Sequence, residues 1–455
     1  MKYAISLLCL LGSMLSAYSQ STVIYRNDHN IDYITEPVTL SHDIGDIIAL
    51  CVGDKKIPID VIDSIALRTV DVPTLYIVTP DDPNLTDLTD KDKYLTAEIS
   101  VSGHGYINDM PPTTAKIKGR GNTTWGYVKK PYRLKFDKKQ SIGVFPNMKN
   151  YVLLADYVDP TKIKNAIAHR LSQLLGMEYT TPTMPCQVVF NGNMKGLYLM
   201  TQKVGISNEY VNIDENKGIL FELSVEFDEP YKFRSKFFNL PVMVKDPDFD
   251  ELALEDITMT ASQRLELWQK DFNDAEELVR SGRGFEAFDM NSFVNYVLLN
   301  EFVGNDEIGY PKSVYIYKET IGSEAKYKFG PVWDFDTSFN LSRIEDGEIN
   351  YEARLPEDDL WMNSLFGELS SDNGFQDAYR ERVSYFVEET YPRLIEYMDT
   401  LSRFIEPAAM ADGMLYDDED GIWIYISSSF DRNQHLQRLR SWMDGRVEYL
   451  KKKYL

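Results

Sequence analysis

Two carboxylates stand two positions apart within the aromatic stretch "GPVWDFDTSF", residues 330–339. A carboxylate among apolar side chains is costly unless a base, a backbone donor or a metal ion compensates its charge. Asp334 or Asp336 could therefore hold Mg²⁺, a cation that prefers oxygen ligands and bridges nucleotide phosphates. The alternative is that Asp334 pairs with an arginine in the core. The stretch by itself thus indicates either a metal site or a buried ion pair.

A polar loop precedes this stretch, in the sequence "NEFVGNDEIGYPKS", residues 300–313. A predicted helix ends here and brings Asn305, Asp306 and Glu307 into the loop. A base that accepts the proton of a substrate hydroxyl lies on a loop of this kind, close to a metal ligand. Asn and Asp are also common turn formers, so the same residues could simply shape the loop.

A third stretch, residues 116–139, has a charge opposite to that of the whole chain. It holds nine Lys or Arg residues and one acid, Asp137, in a chain whose net charge is −23. Its segment "GRGNTTWG" contains three glycines. Glycines let backbone N–H groups approach a ligand closely, and such turns bind phosphate oxygens, although the Gly-Lys-Ser/Thr ending of a Walker loop is absent. The segment indicates either a phosphate-binding turn or a basic hairpin face in water.

The hydrophobic pattern predicts the elements that position these residues. A helix is expected over 160–177, with Thr161 as a possible N-cap and Gly176 at its end. A second helix, "DMNSFVNYVLLNEF", begins with Asp289 as its cap. Two strands, "VYIYKE" and "KYKFGPVWDFD", follow the polar loop. The resulting order of base-bearing loop, β-hairpin and metal-holding Asp is that of protein kinases.

Length and composition narrow the class of protein. A chain of 455 residues with 43% hydrophobic and 13% aromatic content indicates a folded protein of two or three units. The net charge of −23 argues against a general nucleic-acid binder, which needs a basic footprint. Residues 1–20 combine a lysine, a short apolar run and small residues, which predicts a secretory signal peptide. We expect no transmembrane segment, which needs about 20 apolar residues, and a secreted protein in the periplasm or at the cell surface.

Five blocks of the chain, in order, resemble the CotH (spore-coat-protein-H-like) kinase family. They span roughly residues 115–340 and read "KGRGNTTWGYVKKPYRLKF", "NYVLLADYVDPTKIKNAIAHRL", "VVFNGNMKGLYLMTQKV", "PKSVYIYK" and "GPVWDFDTSF". The resemblance implies an α+β, two-lobed fold like that of atypical protein kinases. We expect a strand-rich N-lobe over 73–250 and a helix-rich C-lobe over 251–455, preceded by a small β module over 22–70.

The resemblance also implies a nucleotide site, because some members transfer the γ-phosphate of ATP to secreted proteins with Mg²⁺. It implies that Asp334 binds the metal, with Asp336 or Asn305 as a further ligand. The base would be Asp306 or Glu307. The expected nucleotide-binding residues all lie in the basic segment: Gly119, Arg120, Gly121, Asn122, Lys130 and Lys135. The expected partners are a nucleotide and an unknown secreted protein acceptor.

The sequence therefore predicts a secreted CotH-like kinase that phosphorylates Ser or Thr of an extracytoplasmic protein. The alternative is a catalytically inactive, kinase-like surface protein that binds a protein or a glycan. Two departures favour this alternative: Gln202 stands where relatives often have Glu, and the loop reads Asn-Asp-Glu where many have Asn-x-Asp. A glycoside hydrolase is least favoured, because Asp334 and Asp336 on one strand would point the same way.

Overall fold

The computed structural model describes residues 72–255, 258–339, 362–416 and 432–455, together with short strands within 20–69 and 344–349. Residues 1–19, most of the predicted signal peptide, lie outside this description. The strands within 20–69 are β1 Gln20–Arg26, β2 Ile31–Ile34, β3 Val38–Asp43, β4 Asp46–Val52, β5 Lys55–Pro58 and β6 Ile62–Thr69. They form two three-stranded antiparallel sheets, with the orders β2-β1-β6 and β3-β4-β5.

Seven strands form the largest sheet. They are β7 Thr74–Val78, β8 Leu95–Ser102, β9 Met110–Gly119, β10 Tyr132–Gln140, β11 Met148–Leu154, β12 Met184–Phe190 and β13 Asn193–Gln202. The sheet closes into a barrel in the order β10-β11-β13-β12-β7-β8-β9, with β12 and β7 parallel. Along β10 the side chains of Tyr132, Leu134 and Phe136 are buried and those between them are more exposed. This period of two is that of a strand with one face toward a core.

A second sheet carries the elements of greatest functional interest. Its strands are β14 Ile219–Leu223, β15 Lys232–Arg234, β16 Pro241–Asp246, β17 Val314–Lys318 and β18 Lys328–Phe329. Their order is β15-β16-β14-β17-β18, and neighbouring strands are antiparallel. Every residue of β14 and β17 is buried, because both strands lie inside the sheet. Two further strands, β19 Ile344–Glu345 and β20 Glu348–Ile349, pair with each other.

In the sequence, one helix lies between two barrel strands, β11 and β12, and the others come after the last barrel strand. The helices are α1 Lys164–Leu174, α2 Phe249–Glu255, α3 Ala261–Arg280, α4 Gly284–Ala287, α5 Met290–Val303, α6 Met362–Ser370, α7 Asn373–Tyr385, α8 Tyr391–Leu415 and α9 Arg432–Tyr454. A π-helical segment, Phe386–Thr390, lies between α7 and α8. These elements make a mixed α+β protein, as the sequence predicted. No helix among the described residues has the length and apolar character that crossing a membrane requires.

The chain divides into two compact units. The first comprises Met1–Pro131, Pro185–Tyr198 and Leu401–Gly421, and the second comprises Tyr132–Met184, Leu199–Thr400 and Ile422–Leu455. Inside the first unit, the buried ammonium of Lys129 lies 2.5 Å from the carboxylate of Asp412. The same carboxylate oxygen accepts the backbone N–H of Leu197 at 2.8 Å, so Asp412 of α8 bonds both to β13 and to Lys129, which precedes β10. The lobe boundaries drawn from the sequence stay a prediction.

The ends of α1 are formed by side-chain and backbone hydrogen bonds. The carboxylate of Asp159 accepts the N–H groups of Ile163 and Lys164, each at 2.9 Å, and the hydroxyl of Thr161 at 2.6 Å. The prediction that Thr161 caps this helix is therefore wrong, because its hydroxyl donates to the carboxylate that does so. At the other end Gly176 adopts φ +68°, and the N–H of Met177 donates to the carbonyl of Ser172, which is a Schellman ending.

Helix α5 leads into the polar loop and begins and ends as the sequence indicates. Asp289 is its N-cap and accepts the N–H of Ser292 at 2.7 Å, which confirms the predicted cap. Gly304 is its C-cap in the left-handed conformation, with φ +60°. A Cβ at this position would lie 3.2 Å from Trp442 of α9. The left-handed conformation favours glycine here, and a larger residue would also have to displace the indole by a few tenths of an ångström.

The last helix, α9, packs against α5 through a buried carboxylate. Glu301 is 4% exposed and accepts hydrogen bonds from the hydroxyls of Tyr379 and Tyr454 at 2.5 Å and 3.0 Å. The ammonium of Lys453 lies 2.8 Å from the same carboxylate. Because burial of a carboxylate without donors is costly, these contacts hold α9, and α7 through Tyr379, against the helix that leads into the polar loop.

Substitution of Glu301 by Gln tests this arrangement. Glu301→Gln keeps the volume but removes the charge that the two tyrosines and Lys453 compensate. Hydrogen bonds to a charged group contribute about 1.5–3 kcal/mol, so we expect the free energy of unfolding in urea titrations to fall by that amount. The control is Glu277→Gln on the exposed face of α3. Equal stability of the two variants would contradict the role given to Glu301.

Candidate active site

The pairing of β17 with β18 brings the polar loop and the Asp334 stretch together. Ile316 lies opposite Phe329, so the chain that leaves β18 runs back along β17 toward its first residue. The N–H of Gly330 continues this path by donating to the carbonyl of Tyr315 at 2.9 Å. Asp334 therefore arrives beside Ser313, which directly precedes β17, and the hydroxyl of Ser313 lies 3.5 Å from its carboxylate.

Asp334 has an unusual backbone conformation for a residue that is not glycine. Its φ is +68°, in the left-handed region, and Ser313 beside it has φ +55°. Asp is among the few residue types that adopt this region with modest strain. Residues 331–335 form no strand, and the side chain of Asp334 is partly buried. The expectation that Asp334 and Asp336 lie on one strand is therefore wrong, because the chain turns between them.

Glu307 is the second acidic residue of the site. It is 8% exposed, and its Oε2 atom has no hydrogen-bond partner among the described residues. Burial, and then the negative charge of Asp334, raise the pKa of Glu307 to about 7, although Lys312 opposes this and Asp336 adds to it. The nearest described cation is the ammonium of Lys312, 3.7 Å from Oε1. The loop thus holds a carboxyl group whose charge is only partly compensated.

Asn305 and Asp306 take different parts in the loop. The side chain of Asn305 donates to Asn300 at 2.9 Å and accepts the N–H of Glu307 at 3.1 Å. Both bonds shape the turn, which is the simpler of the two roles that the sequence allows for this residue. Asp306 begins a 3₁₀ turn, Asp306–Ile308, and its side chain is not among those that the structure describes.

Asp336 contacts α1. Its Oδ1 atom accepts the side-chain amide of Asn165 at 2.5 Å. The amide oxygen of Asn165 accepts the N–H of Phe335 at 3.0 Å. Burial lowers the pKa of Lys164, and the charges of Asp159 and Asp336 oppose this shift. Sequence reasoning missed Asn165, although its signal was present: a polar residue among the apolar positions of a predicted helix.

The basic segment of the first unit is built around Trp125. A Cβ on Gly119 would lie 2.3 Å from the Trp125 ring, so this glycine makes room for the indole. The ammonium of Lys130 donates to the carbonyl of Trp125 at 2.8 Å and lies 5.1 Å from the ring centroid. Asn122 accepts a hydrogen bond from Lys91 at 3.3 Å, and the N–H of Arg120 donates to the carbonyl of Pro131.

The two remaining predicted nucleotide residues are Gly121, within this turn, and Lys135, on β10. Gly121 has φ +82°, and a Cβ there would lie 2.1 Å from the hydroxyl of Thr124. Lys135 is exposed on β10, opposite Asn150 of β11. The first unit holds Gly119, Arg120, Gly121, Asn122 and Lys130, and the second holds Lys135 with all the predicted catalytic and metal residues. Their assignment to nucleotide binding stays a prediction.

Gln202, the departure from the family pattern, is fully engaged. It is 3% exposed, its Oε1 accepts the hydroxyl of Thr181 at 3.2 Å, and its Nε2 donates to the carbonyl of Glu209 at 3.2 Å. All these partners are neutral groups. A glutamate here could not donate to the carbonyl of Glu209, so the glutamine fits its surroundings.

The donor chemistry of the second unit suits Mg²⁺. Its described acids at the site are Asp334, Glu307 and Asp336, and Lys312 is the cation whose charge acts on Glu307. Among the described side chains, no three His, Cys, Asp or Glu residues form a group that could hold a metal ion by themselves. Mg²⁺ is usually held by one or two carboxylates plus waters and substrate phosphates, so it does not need such a group.

Comparison with known proteins gives one result. A family model described as "CotH kinase protein" matches residues 117–450, which is most of the chain. The chain belongs to the CotH kinase family. The match includes every predicted site residue, from Gly119 to Asp336, and it continues into α9, beyond the blocks seen in the sequence. No curated protein matches the chain.

The pKa of Glu307 leads to a prediction about stability in the absence of Mg²⁺. A carboxyl whose pKa is raised by folding stabilises the protein below its unfolded value, near 4.5, and this stabilisation is lost as the pH rises through about 7. Glu307→Gln cannot lose this stabilisation as the pH rises. Relative to the wild type, its free energy of unfolding should therefore be more favourable at pH 8 than at pH 5, by up to about 3 kcal/mol. The measurement is urea unfolding at both pH values.

The control for this measurement is Glu226→Gln. Glu226 also lies near Lys312, at 3.9 Å, but it is exposed. We expect its substitution to leave the pH dependence unchanged. If Glu307→Gln lowered stability equally at pH 5 and pH 8, the electrostatic description of the loop would be wrong.

His169 of α1 leads to a second prediction about pH. Its ring lies 6.0 Å from that of Trp333 and 6.1 Å from that of Phe335, and neither ring nitrogen has a hydrogen-bond partner among the described residues. Burial lowers the pKa of His169 from 6.5 to about 4. Between pH 6.5 and pH 4, the imidazole of His169 takes up a proton in the unfolded chain but not in the folded one. Stability is therefore lost as the pH falls from 6.5 to 4.

The expected contribution of His169 is about 3 kcal/mol over that interval. His169→Leu should remove this part of the acid sensitivity, measured as the difference in unfolding free energy between pH 7 and pH 4. The control His104→Gln changes a partly exposed histidine. An acid sensitivity in His169→Leu equal to that of the wild type would show that His169 does not titrate as described.

Proposed function

We propose that this chain is a secreted protein kinase that transfers the γ-phosphate of ATP to Ser or Thr of an extracytoplasmic protein. The observation that carries the proposal is the meeting of Asp334 with the loop of Glu307 at the start of β17. Phosphoryl transfer needs a metal-holding carboxylate close to a proton acceptor on a loop. The membership of the chain in the CotH kinase family supports the same reaction.

Asp334 and Asp336 are the residues that would hold Mg²⁺. When bound, Mg²⁺ neutralises the phosphate oxygens and aligns the γ-phosphate for in-line transfer. The Asp334 carboxylate lies beside Ser313 of the polar loop, and the carboxylate of Asp336 accepts a hydrogen bond from Asn165. Asn305 is a weaker candidate, because its side chain already bonds to Asn300 and to the N–H of Glu307.

Glu307 is the residue that we propose as the proton acceptor. A general base works best when its pKa lies near the operating pH, and the pKa of Glu307 is about 7. Its Oε2 atom has no partner among the described groups, so it can accept the proton of a serine or threonine hydroxyl. Asp306 is the second candidate for this role.

In the proposed kinase-like, two-lobed fold, the basic segment would bind the phosphates. This assignment rests on the resemblance of residues 116–139 to the corresponding segment of the family. Arg120, Lys130 and Lys135 would neutralise phosphate charge there. The secreted location rests on the signal-peptide pattern of residues 1–20.

A kinase-like binding protein without catalysis is the second candidate function. The observation that favours it is Gln202, whose side chain bonds to neutral groups: the Thr181 hydroxyl, the Met148 sulfur and the Glu209 carbonyl. A glutamate that pairs with a nucleotide-binding lysine or with a metal is therefore missing at this position. The bound protein or glycan would occupy the same site without phosphoryl transfer.

Substitution of Asp334 tests the proposed reaction. Asp334→Asn removes the metal-holding charge with little change in shape, and we expect transfer of label from γ-labelled ATP to casein to fall at least about 100-fold. Glu277→Gln, far along the chain on the exposed face of α3, should transfer label at the wild-type rate. Label transfer that persists in Asp334→Asn would remove this residue from the mechanism.

Nucleotide binding separates the two candidate functions. A ligand present at about 100 times its Kd stabilises the folded state by about 2.7 kcal/mol, so Mg·ATP should raise the Tm of a kinase. The Tm of Asp334→Asn should rise less under the same conditions. A wild-type protein whose Tm is unchanged by millimolar Mg·ATP would favour the binding protein.

A further inference from the structure

We propose that Asn165 is a positioning residue that sets the orientation of Asp336 and of the backbone before it. The inference deepens the proposed function and rests on it. Asn165 lies in the first turn of α1 and is 2% exposed. Its side chain joins the 334–336 turn to the loop that precedes α1, which are far apart in the sequence.

The side-chain amide uses all its principal hydrogen-bonding groups. Its two N–H groups donate to Asp156 at 2.8 Å and to Asp336 at 2.5 Å, and its oxygen accepts the N–H of Phe335 at 3.0 Å. An amide supplies two donors and an acceptor in one plane, whereas a carboxylate supplies acceptors only. The site therefore calls for asparagine, because two of the three partners are carboxylates and the third is a donor.

The first turn of α1, which carries Asn165, and the loop before it are held by several hydrogen bonds. The carboxylate of Asp159 accepts the backbone N–H groups of Ile163 and Lys164, so the first turn of α1 is capped. The ammonium of Lys162 donates to the backbone carbonyl of Asp156 at 2.8 Å, which closes the turn that carries this acid. Asn165 thus connects the Asp336 turn to a rigid support.

A second contact from the same turn of α1 reaches the same segment. The buried ammonium of Lys164 lies 3.3 Å from the carbonyl of Ser338. Adjacent residues of α1 therefore bond to Phe335, Asp336 and Ser338 in succession. An oriented carboxylate binds a metal more tightly than a mobile one, and loss of a partner that orients a ligand typically costs 10–100-fold in metal affinity.

The test is Asn165→Asp, which keeps the shape of the side chain. It replaces both donors by an acceptor and sets a third carboxylate against Asp156 and Asp336, so Asp336 should turn away. We expect the full-length variant to bind Mn²⁺ together with a non-hydrolysable imido analogue of ATP at least tenfold more weakly than the wild type. The readout is the free Mn²⁺ signal in electron paramagnetic resonance, which does not depend on turnover.

Two further variants keep the test decisive. Asn165→Ala removes the same bonds without adding charge, and it serves if Asn165→Asp does not fold. Thr161→Ala is the matched control, because it removes a buried hydrogen bond of the same loop, 2.6 Å long, without touching residues 335–338. We expect Thr161→Ala to lose stability but to bind Mn²⁺ with the analogue within twofold of the wild type.

The outcomes distinguish this inference from the proposed function. If both Asn165 variants bind Mn²⁺ as the wild type does while their Tm falls, the amide is only structural and the inference is overturned. If the wild type and Thr161→Ala bind no Mn²⁺ with the analogue, the proposed function fails and the inference falls with it. A tenfold loss in the Asn165 variants alone supports a positioning role.

Discussion

The candidate site depends on the antiparallel pairing of β17 with β18. This pairing returns the chain from the end of β18 to the start of β17, where Asp334 meets Ser313 and the loop of Glu307. In the sheet, β17 pairs with β14 on one side and with β18 on the other, and all its residues are buried. Its register is therefore set by packing on both faces of the sheet. A slip of one residue would turn its side chains to the opposite faces and would separate Asp334 from the loop.

The second feature of the site is an excess of negative charge under partial burial. Burial, and then the negative charges of Asp334 and Asp336, raise the pKa of Glu307. Such an arrangement destabilises the protein when no cation is bound. Charged groups with perturbed pKa values of this kind are common at functional sites. Other buried carboxylates of the second unit are compensated. Glu301 and Asp159 accept hydrogen bonds from several donors.

Two helices support the site from different sides. Helix α1 bonds to Phe335, Asp336 and Ser338, and α9 packs its Trp442 against Gly304 and Phe339. The N–H of Phe339 donates to the carbonyl of Val303 at 2.7 Å, so the polar loop and the acidic stretch are also joined directly. The match to the CotH kinase family extends into α9, which agrees with a structural role for this last helix.

The sequence by itself determined what depends on neighbouring residues. Hydrophobic periodicity and capping residues predicted the Asp289 cap and the order of loop, hairpin and acid, because these follow from local backbone preferences, and the family resemblance implied the mixed α+β class. The motif blocks indicated the family that the comparison confirmed. Local reasoning was wrong about the Thr161 cap, where Asp159 is the stronger acceptor, and about the strand through Asp334, where the left-handed conformation breaks the alternation.

Only the tertiary structure decided which group each acid faces. The bond between Asn165 and Asp336 joins residues 171 positions apart, and no local pattern encodes it. The same holds for Glu301, whose partners Tyr379, Lys453 and Tyr454 come from helices that follow much later in the chain. A sequence states which side chains can accept, donate or carry charge, but burial and the distance to a partner set their pKa and orientation, and both arise only when distant segments pack together.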